Sequence, residues 1–308
     1  MTIEILRRVD QDISAKLVDQ DMVSIRVVVA LFCKCDPKFL IEPTLWLLEE
    51  WKGSAAGNLK WGMVGPNASA LSAIKEKTYT RIDREIRSLE AGEMRTFRVL
   101  GPSPYAPDFR FDWFVLAGVG SNKFNDTALI EFLLPLPNDD SGWAAIAIWF
   151  KTISERFPYD TGYVAPALVF GDDASKSDAG RIIGPIAMRH HGFDVPNNET
   201  TSYSIGRLSR GARWLTLLSK DNAKMIDLGA IEKDPAGLRV DRTSKGVVIW
   251  ASETPEIGDV NRQIDVPGLR AVARHIEPVT FFGDINLLSL FGENAELAER
   301  WEKRFFEA

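Results

Sequence analysis

Chemistry-bearing side chains are scarce in this sequence. Two cysteines and three histidines in 308 residues leave little from which to build a thiolate or imidazole metal centre, because a structural zinc site alone takes four such ligands. Cys33 and Cys35 stand two apart on a predicted strand, which puts both side chains on one face, about 6.6 Å apart along it. Without further ligands nearby, a pair of buried, reduced thiols is expected and no metal or redox centre. No stretch reaches 18 uninterrupted apolar residues, so a spanning helix and a membrane partner are not expected. Met1 to Arg8 lacks a basic flank followed by an apolar core, the pattern of a secretory signal, and residence in the cytoplasm is expected. The Asn-x-Ser/Thr triplets at Asn67, Asn125 and Asn198 then carry no glycosylation meaning. No Pro-, Gly- or Ser-rich linker divides the chain. One domain over 1–308 follows, with possible sub-lobes of about 1–100 and 101–308 meeting near Gly101–Pro107.

Composition is otherwise ordinary. With 45% hydrophobic and 26% charged residues, the chain sits near the average for globular proteins, so disordered and fibrous classes drop out. Strand patterning is clearest in Val23–Cys33, whose odd positions are all apolar, and in Phe109–Val115, where aromatic residues alternate with Arg110, Asp112 and Phe114. Ala128–Leu134, Val164–Phe170, Arg213–Leu218 and Val247–Ala251 are nearly continuous apolar runs and read as further strands. Helical spacing appears in Trp143–Phe157, where Ala145, Ile148, Trp149 and Ile153 share a stripe, and in Asn294–Phe306. Pro37–Trp51, Ile74–Leu89, Ala174–Arg189 and Gly268–Ile276 are also expected to be helical. Strands and helices are interspersed without strict alternation, and several strands lie close enough in sequence to pair as hairpins. The expected fold is therefore α+β, a largely antiparallel sheet of six or more strands with packed helices. A strand-then-helix unit near Val23–Trp51 and another at Ala128–Phe157 hint at a degenerate internal duplication.

Catalytic constellations fare poorly. Gly118-Val-Gly-Ser-Asn-Lys123 lacks the third glycine of a dinucleotide fingerprint and any Gly-Lys-Ser/Thr, so a plain loop is expected. His190 and His191 are adjacent and point apart, and a cationic His190 beside a helix C-terminus accounts for that residue. Neither histidine, nor His275, stands in a nucleophile or metal motif. No catalytic, cofactor-binding or metal-binding residue is assigned. The carboxylate pairs Asp139–Asp140 and Asp172–Asp173 keep open a hydrolase acting on a sugar or phosphate ester, which needs two such groups at about 5 to 9.5 Å. Acidic residues beside Gly or Pro are also ordinary solvated turn formers.

Charge is unevenly spread. Between Glu131 and Ala179 lie eight acids and three bases, a net charge of −5 out of −6 for the whole chain. Phosphates demand a Lys/Arg footprint, so direct nucleic-acid binding is not expected. Such a region would instead steer a basic protein.

One stretch supplies a resemblance. Trp214-Leu-Thr, the strand Lys245-Gly-Val-Val-Ile-Trp250, the turn Gly258-Asp-Val-Asn-Arg262 and a Pro-led helix from Pro267 to Ile276 follow in order. Together with the strand Val23 to Cys35, the helix Ser141 to Phe157 and the turn Tyr159 to Tyr163, this order resembles the immunity-protein family of type VI secretion systems across nearly the whole chain. The resemblance implies a cytoplasmic, non-enzymatic protein that binds and silences one toxic effector, several such effectors being nucleases, by covering an active site or substrate groove. Asp139, Asp140, Asp172 and Asp173 are the candidate partner-binding residues, no cofactor is implied, and the partner expected is a basic nuclease domain. An adaptor without a toxin partner is the remaining alternative. Phe281–Phe291 is read mostly as core, with a possible apolar anchor.

Overall fold

The computed structural model describes residues 2–16, 23–54, 58–65, 70–90, 94–102, 109–116, 127–170, 176–283, 290–291 and 293–306. In chain order its elements are α1 (Thr2–Lys16), β1 (Val23–Cys33), α2 (Ile41–Ser54), β2 (Trp61–Val64), β3 (Ser72–Ala73), α3 (Glu76–Arg87), β4 (Met94–Leu100), β5 (Arg110–Leu116), β6 (Ala128–Leu134), α4 (Asp140–Arg156), β7 (Thr161–Phe170), α5 (Lys176–Arg189), α6 (Asn198–Ile205), β8 (Leu215–Ser219), α7 (Lys220–Ala223), α8 (Leu228–Glu232), β9 (Arg239–Arg242), β10 (Gly246–Trp250), α9 (Pro267–Ile276) and α10 (Ala295–Glu302). The strands form one sheet in the order β3-β2-β4-β5-β6-β1-β7-β8-β10-β9, and every named pair is antiparallel. The fold is α+β, as the patterning predicts.

β1 lies inside the sheet between β6 and β7, and both of its faces are covered. Its odd positions, Val23 through Cys33, join the largest core with buried residues of α1, α2, α4 and α5. Its even positions Val28, Ala30 and Phe32 pack on the opposite face with Phe114, Leu129, Tyr163 and Ile205 of α6. Burial on both faces explains why the strand reads as almost unbroken hydrophobic sequence. At the β8–β10 end the second face carries a separate core, in which Leu218, Val247 and Ile249 meet Leu269, Val272 and Ile276 of α9. The second face is thus covered by α9 at one end and α6 at the centre.

Local signals place the helices. Asp139 caps α4 by accepting from Gly142 N at 2.9 Å, and Asn294 caps α10 by accepting from Leu297 N at 3.0 Å, each satisfying an amide the helix leaves open. Gly246 is required by contact, since a Cβ there would stand 2.0 Å from the Leu218 carbonyl oxygen across the β8–β10 pairing. Gly258, at φ 69°, occupies the left-handed region that side chains disfavour.

Two elements add to the expected set and two expectations change. α1 is an amphipathic helix that buries Ile5, Leu6, Val9 and Ile13. Thr161–Tyr163 are not a turn but the first residues of β7, in register opposite Phe32, Leu31 and Ala30 of β1 and Leu218, Leu217 and Thr216 of β8. β4 extends the sheet beyond the strands the patterning isolates. β1 ends at Cys33, so Cys33 is buried while Cys35 is only half-buried beyond it.

Candidate functional site

Past α6, towards β4 and β2, no helix among the described residues packs on the second face of the sheet, which forms a cleft of about 420 Å³. Its floor is charged. One cross-strand row runs Arg98, Asp112, Glu131, Ala30, Tyr163 and Thr216 over β4, β5, β6, β1, β7 and β8. Because directly opposed side chains on one face are nearest neighbours, the row becomes a continuous network. Arg98 grips Asp112 with both ends of its guanidinium, Nε to Oδ1 at 2.6 Å and Nη2 to Oδ2 at 3.0 Å. Arg110 Nε lies 3.1 Å from Asp112 Oδ2, and its Nη2 donates to Glu131 Oε1.

Ala30 leaves a gap in the row, and Asn198, the first residue of α6, fills it from above. Its Nδ2 donates to Glu131 Oε2 at 2.6 Å and to the Tyr163 hydroxyl at 2.8 Å. Tyr163 in turn donates to Asp194 Oδ2 at 2.7 Å, and Arg213 Nη2 donates to Asp194 Oδ1 at 2.7 Å. Burial alone would raise the Asp194 carboxyl, but the guanidinium groups of Arg213 and Arg210 and the Tyr163 hydroxyl outweigh it and hold the group at about 2. All four oxygens of Asp112 and Glu131 therefore have a cationic or amide partner. Such pinning organises a charged surface in which both carboxylates are taken up by neighbouring donors.

Asp139 and Asp140 stand elsewhere, at the start of α4 on the other face of the sheet. Asp139 accepts from the Ser141 hydroxyl at 2.7 Å as well as from Gly142 N, and those two bonds lower its carboxyl. Asp140 is exposed in the first turn. Asp172 and Asp173 lie outside the described residues, as do Gly118–Lys123 and residues 284–289 of the Phe281–Phe291 segment. Of the other acids between Glu131 and Ala179, Glu131 and Asp160 are buried, so they add nothing to an exposed acidic face.

His190 departs from its expected role. It is buried, its Nδ1 is 2.7 Å from the Gly258 carbonyl oxygen, and burial lowers its ring below the usual histidine range. It is therefore a buried residue whose surroundings disfavour the cationic form expected at a helix end. Its neighbour Asp259, fully buried, is reached by Arg189 Nε at 2.8 Å and by Arg8 Nη2 at 2.9 Å. The Gly258–Arg262 turn is thus an anchor that ties α1 and α5 together. Among the described residues no group of three or more His, Cys, Asp or Glu could hold a metal ion, and no helix is long and apolar enough to cross a membrane.

The charged floor was partly visible in sequence. Arg110 and Asp112 alternate with aromatics in Phe109–Phe114, and Arg98 alternates likewise with Phe97 and Val99. Asn198 and Asp194 gave no signal, since their partners are far away in the chain.

This architecture is shared with a protein of type VI secretion. The Pseudomonas aeruginosa T6SS protein PA0821 superimposes with a TM-score of 0.76 at 18% identity, covering 96% of this chain and 91% of that one, a likeness of fold. Residues 47–305 match the family described as TsiV, type VI immunity for VRR-NUC. The chain belongs to that family. No curated protein matches it.

Proposed function

We propose that the protein is a non-catalytic cytoplasmic immunity protein that binds a cognate nuclease effector of the VRR-NUC type and blocks its active site or substrate groove. The observation that carries this reading is the family match over residues 47–305. Its charge supports it: a nuclease presents a basic surface to hold phosphates, and a protein of net charge −6 is attracted to that surface. Asp139, Asp140, Asp172 and Asp173 form the acidic part of the contact in this reading. Pinned carboxylates in the cleft, and a capping role for Asp139, give the hydrolase alternative no added support.

The test is a nuclease assay with a purified VRR-NUC effector as the candidate partner. Stoichiometric loss of DNA cleavage on adding the protein, with a stable complex on gel filtration, is the expected result. Undiminished cleavage in a mixture that forms no complex would overturn the proposal.

A further inference from the structure

On the sheet face opposite the cleft, α4 departs from the usual pattern of a surface helix. Ser141–Phe150 is a run of ten residues without a charge, almost three turns, so the helix is apolar on both sides. Its inner stripe, Trp143, Ala147, Phe150 and Ile153, is buried in the largest core. Its outer stripe, Ala144, Ala145 and Ile148, faces solvent, and Ile148 is 68% exposed. The sequence stripe through Ala145, Ile148, Trp149 and Ile153 is therefore split, with Ile153 buried and Trp149 half-buried between the two sides. By contrast, α3 turns Lys77, Arg81, Arg84 and Arg87 outwards. A single apolar side chain on a surface is ordinary, but a helix that is hydrophobic all round is one whose outer side is covered as well.

Charge says what covers it. α2 lies alongside, with the Trp51 and Trp149 rings 6.3 Å apart and the Arg156 guanidinium 4.6 Å from the Trp46 ring. The two helices and the cap Asp139 carry six acids, among them the exposed Glu42, Asp140 and Glu155, against three bases. Two of those bases are turned to carboxylates, Lys52 to Glu49 at 2.7 Å and Lys151 to Asp241 at 3.6 Å. An uncharged centre within an acidic border has the layout of an interface core and its polar rim. A second copy of the chain would set that border against itself, whereas a basic protein complements it.

We infer that the outer face of α4, centred on Ile148 with Ala144 and Ala145 beside it, is the seat of a basic nuclease effector, the acids of α2 and α4 forming the rim. The assignment rests on the immunity reading above and gives it a location.

Affinity and dissociation rate for a purified VRR-NUC effector are measured with the full-length protein, as wild type, Ile148→Glu and Val260→Glu. Val260, 51% exposed on the Gly258–Arg262 turn, controls for a new acid at an apolar surface position. A face that acts only through its charge would hold a basic partner as well or better once Ile148→Glu adds an acid. A covered apolar centre gives the opposite result: the dissociation constant should rise roughly 30-fold or more, mostly through faster dissociation. Val260→Glu should bind like the wild type, and the melting temperatures of all three should agree. Ala145→Glu, on the same face of α4, should lose affinity as Ile148→Glu does. Undiminished binding by Ile148→Glu, or an equal loss in Val260→Glu, overturns the assignment while the wild-type complex upholds the immunity reading. A wild type that forms no complex overturns both. A free protein that is a dimer, made monomeric by Ile148→Glu, would give the face to a second copy and end the assignment.

Discussion

Asn198 holds Glu131 in place across a break in the sheet's charged row, donating to Oε2 at 2.6 Å from the first residue of α6. Ala30, opposite Glu131 on β1, is the small residue that makes room for it. The pairing joins the cleft network on β4 to β6 with the buried network around Asp194, so α6 is seated on the sheet by polar contacts as well as by Ile205.

Removing that amide should be expensive. Asn198→Ala strips a donor from both Glu131 and the Tyr163 hydroxyl, and leaving buried polar groups unsatisfied costs about 1–3 kcal/mol. Asn198→Asp should cost more, because it sets a carboxylate against Glu131. Urea unfolding of the three proteins checks the order, which fails if the aspartate variant is the more stable of the two.

Ala30→Leu tests the gap itself. Overpacking a dense core typically costs about 1–3 kcal/mol, and here the added atoms displace Asn198. Loss of stability in Ala30→Leu and in Asn198→Ala should therefore be strongly non-additive in the double variant, because both break the same contact. Full additivity would sever the link between them.

Acid should act in two stages. His191 is held down at about 4, first by burial and then by Arg304 and Arg270. Its folded value lies below the unfolded one near 6.5, so the unfolded chain takes up the proton more readily and stability falls as pH drops from about 6.5 towards 4. Asp194, held at about 2, adds stability above about pH 4 that is lost as pH falls towards 2. Melting temperature against pH should show both stages, with His191→Gln reducing the upper, to which the buried His190 also contributes, and leaving the lower. An unaltered upper slope in that variant would remove His191 from the account.

Much of the fold is legible in the sequence because its signals are local. β6 occupies Ala128–Leu134 as its apolar run predicts, and α4 begins one residue after its capping aspartate. α1 is less legible because its apolar positions, Ile5, Leu6, Val9 and Ile13, are interleaved with charged residues. The site was harder. Arg110 and Asp112 announce a strand with a polar face, but which carboxylate meets which guanidinium depends on register across β4, β5 and β6. Asn198 reaches back 67 residues to Glu131, and no spacing rule carries that distance.

Asp139, Asp140, Asp172 and Asp173 replaced together by Asn should slow association with the effector at low salt and have less effect as salt rises, since exposed interface charges act mainly on the association rate and are screened over about 8 Å at physiological ionic strength. Asparagine caps a helix about as well as aspartate, so the cap of α4 at Gly142 N survives and the melting temperature should hardly move. That makes the fourfold variant a test of steering and not of folding. Association rate against ionic strength, measured for both proteins, is the readout. Coincident curves at low salt would take these four residues out of the contact and direct attention to the cleft on the second face of the sheet, where Arg98→Ala, by removing the guanidinium between Asp112 and Glu199, becomes the informative variant.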